Sequence, residues 1–152
     1  METQLKVLAF IQETFEKTLD GYTNEQINQI PEGFKNNLIW NYAHIISALQ
    51  MLCYVRAGIK PVLDQGFIDR YKIGTKPEGT VSAEEYQQYK AFAKLGVEKL
   101  GEDYAAHKFA GFQGFKTMSG IELTNIELAI EYAIMHAGLH SGYILALKKF
   151  IK

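Results

Sequence analysis

Residues Leu38 to Val55 are the stretch that most limits how this chain can fold. The run is largely apolar and contains neither proline nor glycine. It reads as the interior of a helix from about Phe34 to Arg56, ended by Ala57-Gly58. A helix that is apolar on more than one side has to be surrounded by other elements. The 152 residues supply length for one hydrophobic core around it, and so for a single domain over residues 1–152.

The surrounding elements follow from where helices can run. The three prolines fall at 31, 61 and 77, leaving long stretches free of helix-breaking residues. Residues 3–20 carry Leu8, Ile11, Phe15 and Leu19 at helical spacing, with Asp20-Gly21 as the stop. Thr23 to Gln26 has capping-box spacing and opens a short turn that ends before Pro31. Residues 58–81 are rich in Gly and Pro and read as a long crossover.

Ser82 to Glu85 is a second capping box. It opens a helix to about Tyr104 whose buried stripe is Tyr86, Tyr89, Ala93, Val97, Leu100 and Tyr104. Gly96 and Gly101 weaken that helix locally. Residues 106–123 read as a loop. Thr124 to Glu127 is a third box and opens the last helix, with Lys148, Lys149 and Lys152 near its end, where cations suit the helix dipole. No alternating run is long enough for a sheet. The expected fold is all-α, a four-helix bundle with a long crossover.

Composition excludes several functions. Sixteen basic residues against seventeen acidic ones give a net charge of −1. There is no global field to draw in a polyanion, which argues against nucleic acid as the main partner. The single cysteine, Cys53, allows neither an internal disulfide nor a Cys-rich zinc site. Glu2 stands where a basic leader region would be, and Val7–Ile11 is too short for a signal-peptide core. No uncharged apolar run is expected to approach the roughly 18–20 residues of a membrane helix. The default expectation is a cytoplasmic protein without a membrane partner.

The four histidines are the residues with chemistry to offer. His136 and His140 are spaced i, i+4 on the last helix and project from one face, a geometry that chelates a metal ion. Ala129, Tyr132, Ala133, Tyr143 and Leu147 share that face, whereas Glu127, Glu131 and Ser141 point away. His44 lies mid-helix on a face with Asn37, Trp40, Ala48 and Met51, and is the third candidate ligand. Three imidazoles from two helices can hold a divalent ion and leave a position open. Cys53 is roughly 180° round the helix from His44 and is a poor ligand for the same ion. His107 sits beside a Gly-rich loop and is expected to be an exposed bystander.

Asn37-Leu-Ile-Trp40-Asn-Tyr-Ala-His44 resembles the Asn-x-x-Trp-x-x-x-His signature of the DinB-like superfamily, which includes the YfiT-type thiol transferases. His136-Ala-Gly-Leu-His140-Ser-Gly142-Tyr-Ile resembles its second motif, His-x-x-x-His-x-Gly-x-Ile. Lys72-Ile-Gly-Thr-Lys-Pro-Glu78 is similar to a loop of a small bacterial branch. The resemblance runs from about Leu5 to Phe150. It implies a four-helix bundle holding zinc or nickel on three histidines, carried over to His44, His136 and His140. Many relatives carry Glu directly after the first histidine of the pair. Here that position is Ala137, so the general base of a His-Glu-x-x-His peptidase is missing.

The function this implies is a metal-dependent transferase that activates a low-molecular-weight thiol, with a hydrolase as the other metal-dependent activity. Asn37, Trp40, Tyr132 and Tyr143 are the expected pocket residues: the two tyrosines would hydrogen-bond developing charge and Trp40 would form an apolar wall. The alternative is a non-catalytic metal- or ligand-binding module for stress response or dimerisation. A small-molecule substrate and a homodimer are the expected partners.

Overall fold

In the computed structural model, which describes all 152 residues, the central apolar helix begins four residues later than its hydrophobic pattern predicts. Asn37 is the cause. Its side-chain oxygen accepts from the Trp40 N–H at 2.9 Å, so it caps the helix and the first turn starts at Leu38. Phe34 instead packs on Tyr143 and Phe150. The chain forms α1 (Glu2–Leu19), α2 (Asn24–Asn28), α3 (Leu38–Gln50), α4 (Gln65–Tyr71), α5 (Ala83–Ala105) and α6 (Ile126–Leu147). A hairpin of two-residue strands, β1 (Phe115–Lys116) and β2 (Glu122–Leu123), pairs antiparallel before α6.

The four long helices pack in a ring, α1 against α5, α5 against α3, α3 against α6 and α6 against α1. This is an all-α bundle, with the segment from α3 to α5 as its long crossover. Every residue of α3 is buried. Leu38–Val55 carries no formal charge and has mean hydropathy 1.3 over 18 residues, which corrects the expectation that no uncharged apolar run reaches spanning length. Its window is 78% buried within the bundle, so packing inside the protein accounts for its apolarity.

Several local expectations are met by visible contacts. Thr23 and Gln26 form a reciprocal capping box, and so do Ser82 and Glu85. The last helix differs by one residue. Asn125, not Thr124, caps it through the Leu128 N–H at 2.9 Å, leaving Glu127 free to accept from the Tyr104 hydroxyl. Gly96 and Gly101 do not end α5. They sit where α5 comes closest to its neighbours, a Cβ at Gly96 lying 3.3 Å from Gln50 Nε2 and one at Gly101 2.9 Å from Leu5.

Three features were not expected from the pattern. The crossover contains α4, capped by Asp64 through the N–H groups of Gly66 and Phe67. The segment read as a loop over 106–123 contains the hairpin. And α3 runs directly into a π-helical turn, Met51–Val55, in which the N–H of Arg56 bonds the carbonyl of Met51 at 2.9 Å. Gly58, at φ +74°, then turns the chain out of the helix, a backbone angle that suits glycine.

Candidate metal centre

The packing of α3 on α6 brings three of the four histidines together. His44 is buried in mid-α3, and His136 and His140 are partly buried one turn apart on α6. One ring nitrogen from each lies within 4.8 Å of the others. The ring centroids are 4.7 to 5.2 Å apart. No hydrogen bond joins one ring to another, although the rings are in contact.

Two of the three rings, His44 and His140, are tied to the scaffold through their outer nitrogens. His44 Nδ1–H donates to the Tyr71 carbonyl at 2.6 Å, and a carbonyl can only accept. That bond assigns the proton to Nδ1 and leaves the Nε2 lone pair facing the cluster. His140 Nδ1 lies 2.8 Å from Asn41 Oδ1. Asn41 Nδ2 donates to the Asn37 carbonyl at 2.7 Å and to Asn36 Oδ1, so its Oδ1 is the acceptor and His140 the donor. The same tautomer results. Trp40 stacks on His44 at 4.7 Å with the planes 9° apart, setting the tilt of the ring.

Burial keeps the rings neutral. It lowers the pKa of His44, against a smaller raising effect of the Tyr71 carbonyl. Burial, with His44 as a like charge, lowers His136 to about 4. Burial, with His44 and His136, lowers His140 to about 3. Three clustered imidazoles, two of them with the tautomer fixed by the scaffold, form a donor set suited to a borderline divalent ion. Two Nδ1–H groups already engaged by the scaffold complete the fit. The other two candidates of this chemistry lie elsewhere. His107 is exposed at the end of α5 with φ +55°, and Cys53 is fully buried, its thiol pKa pushed up by burial.

The four residues expected to line a pocket have separate places. Tyr132 lines a cavity of about 170 Å³ that reaches His44 and His136. Asn37 caps α3 and donates through Nδ2 to the Asn28 carbonyl at 2.9 Å. Trp40 is the plate beneath His44. Tyr143 sits edge-on to Phe34, 6.0 Å away, outside that cavity. Two positioning groups escape a reading of histidine spacing. One is Asn41, whose signal was a polar side chain three residues before His44 within an otherwise apolar run. The other is the Tyr71 carbonyl, which no side-chain pattern can reveal.

The depressed histidine values dictate a pH dependence for the metal-free protein. Unfolded imidazoles take up protons below about pH 6.5, whereas the folded rings resist protonation down to about pH 4 at His136 and about pH 3 at His140. The unfolded state therefore binds more protons between these limits, and stability falls as pH drops from about 6.5. Urea unfolding of metal-free protein at pH 7.5 and 5.5 reads this as a lower midpoint at 5.5. The drop should shrink when His136 and His140 are both replaced by Gln. Equal midpoints in the wild type would contradict the neutral cluster.

Comparison with known proteins agrees with this architecture. A crystal structure of a conserved protein from Enterococcus faecalis superposes with a TM-score of 0.68 over 99% of this chain and 95% of that one, at 14% identity. At that identity the likeness speaks for the fold. No curated protein matches the chain. The family model of the DinB superfamily matches residues 8–144, a span that contains α3, α6 and all three clustered histidines. The chain belongs to the DinB superfamily.

Proposed function

We propose that the chain holds one divalent ion, zinc or nickel, on His44, His136 and His140, and that the resulting centre activates a low-molecular-weight thiol for transfer to an electrophile. The observation that carries this reading is the convergence of three imidazoles from two helices on one point, two of them, His44 and His136, opening onto a cavity rather than onto solid core. A structural zinc site closes itself with four protein ligands, whereas a catalytic one keeps a position open. Here the group has three members.

A divalent ion at this place would supply Lewis acidity, lowering the pKa of a thiol or water presented to it. The chain's own residues hold and orient. Tyr71 and Asn41 fix the tautomers of His44 and His140. Trp40 fixes the plane of His44. The Tyr132 hydroxyl, bonded to Ser119 Oγ at 3.1 Å, stands on the cavity wall as a donor to charge that develops on a substrate. No carboxylate lines the cavity, and Ala137 lies buried beside Leu8, Ile45 and Leu49. The centre thus has no side-chain general base of the peptidase kind, which favours a nucleophile as acidic as a thiol over water.

The same lack of a base favours a second reading, a metal-stabilised binding module. A panel of thiols and electrophiles separates the two. Metal-dependent turnover is the result expected of the transferase, whereas an ion that raises the melting temperature without turnover belongs to the module. Homodimerisation is part of either reading. It is supported by the apolar side chains that α6 leaves exposed, Met135 at 42%, Leu139 at 63% and Leu145 at 51%. Sedimentation at micromolar concentration should show twice the chain mass, and a monomer there contradicts this part.

Metal content tests the core of the proposal. Untagged protein should carry about one ion per chain, and His44→Ala or His136→Ala should lose it. Asn41→Ala, which frees His140 to turn, should keep the fold and weaken ion affinity about 10–100-fold. Less than about 0.1 ion per wild-type chain, or unchanged content in His136→Ala, would overturn the metal reading.

A further inference from the structure

The cavity beside the histidines has a charge pattern that the metal reading does not use. Besides His44 and His136 its wall holds two cations, Arg56 and Lys72, and no carboxylate. In a chain of net charge −1 this is a local positive excess. The two cations are not equivalent. Lys72 Nζ lies 2.8 Å from Asp69 Oδ1, so its charge is largely answered. The Arg56 guanidinium makes no ion pair and no hydrogen bond to the protein. It lies over the Phe115 ring, 5.7 Å from its centroid, a placement that holds the plane without using its N–H donors.

Backbone geometry explains how an arginine twelve positions after His44 faces the same space. In an α-helix each step of four residues overshoots a full turn by about 40°, so three steps would carry Arg56 roughly 120° off the His44 face. The π turn at Met51–Val55 is wider and absorbs part of that drift. His44, Ala48, Leu52 and Arg56 consequently all line one cavity. The opposite wall comes from the hairpin, which contributes Phe115 and Met118. Its loop is held by Thr117 Oγ1 on Ser119 Oγ at 2.9 Å and by Ser119 on Tyr132.

We infer that this cavity takes a small organic anion with a short apolar body, its carboxylate held by Arg56 and its other end lying over His44 and His136. The volume of about 170 Å³ is below the roughly 300–1,000 Å³ of pockets that enclose drug-sized ligands, which suits a small molecule better than a peptide or nucleotide. Apolar side chains between the arginine and the histidines match an aliphatic or aromatic spacer. A guanidinium with free parallel N–H groups matches a carboxylate in two-point contact. The identity of what the far end meets rests on the metal reading. The preference for an anion rests on Arg56 alone.

Two probes of equal length separate these claims: 6-mercaptohexanoate and 6-mercaptohexanol, titrated by calorimetry into metal-loaded wild type and Arg56→Gln at low salt. The acid should bind wild type at least about ten-fold tighter than the alcohol. In Arg56→Gln that preference should fall below about two-fold, with metal content and melting temperature unchanged. Lys72→Gln should retain most of it, because Asp69 already neutralises that charge. Equal affinities in wild type, no binding of either probe, or a preference that survives Arg56→Gln overturns the inference. If wild type carries no metal, the same pair is titrated into the metal-free protein. There the acid preference and its loss in Arg56→Gln still decide, and the metal reading fails by itself.

Discussion

Five polar side chains, one capping an otherwise apolar helix and four inside it, govern much of this structure. Asn37, at the cap of α3, and Asn41, His44, Ser47 and Gln50, within it, are all buried. A polar group removed from water without a partner costs on the order of 1–3 kcal/mol, and other segments of the chain supply partners to each of the five, only Gln50 Nε2 being left without one. Asn37 takes the carbonyl of Asn28 at the end of α2. His44 and Ser47 donate to the carbonyls of Tyr71 and Ile68. Gln50 Oε1 accepts from the N–H groups of Val62 and Leu63, and Asn41 accepts from His140 on α6. The path of the crossover and the seating of α6 thus follow one helix.

The short helix α4 shows the reciprocity. Seven residues are too few for a stable helix in isolation, and its last carbonyls have no partners within the helix. Ser47 and His44 cap two of them from the side. One of the bonds that hold α4 is therefore the bond that fixes the His44 tautomer, so the seating of the crossover and the orientation of this candidate ligand nitrogen depend on the same contact. Trp40, stacked on the other side of that ring, leaves it little freedom to turn.

Much of the bundle was legible because it depends on local chemistry. The capping boxes at Thr23 and Ser82 and the stripe from Tyr86 to Leu100 are written in residues three or four apart. The histidine face of α6 was legible for the same reason, since periodicity alone puts His136 and His140 together. What remained hidden depends on contacts between distant segments. Asn41 could be seen to be polar but not to reach His140, and the Tyr71 carbonyl has no signature at all. The π turn that returns Arg56 to the His44 face is likewise a matter of backbone hydrogen bonding, not of composition. Helix starts moved to Leu38 and Ile126 because Asn37 and Asn125 out-competed neighbours that the hydrophobic pattern could not exclude.

Scaffold bonds at Nδ1 of His44 and His140 leave their other ring nitrogens available to one shared position between α3 and α6. Anomalous diffraction from a crystal of metal-loaded protein, recorded at the absorption edge of its ion, tests this most directly. One peak is predicted between α3 and α6, about 2.0–2.1 Å from Nε2 of His44 and Nε2 of His140 and from one nitrogen of His136, with no fourth protein ligand. A peak elsewhere in the protein, or ligation of His44 through Nδ1 with the Tyr71 bond broken, would contradict it.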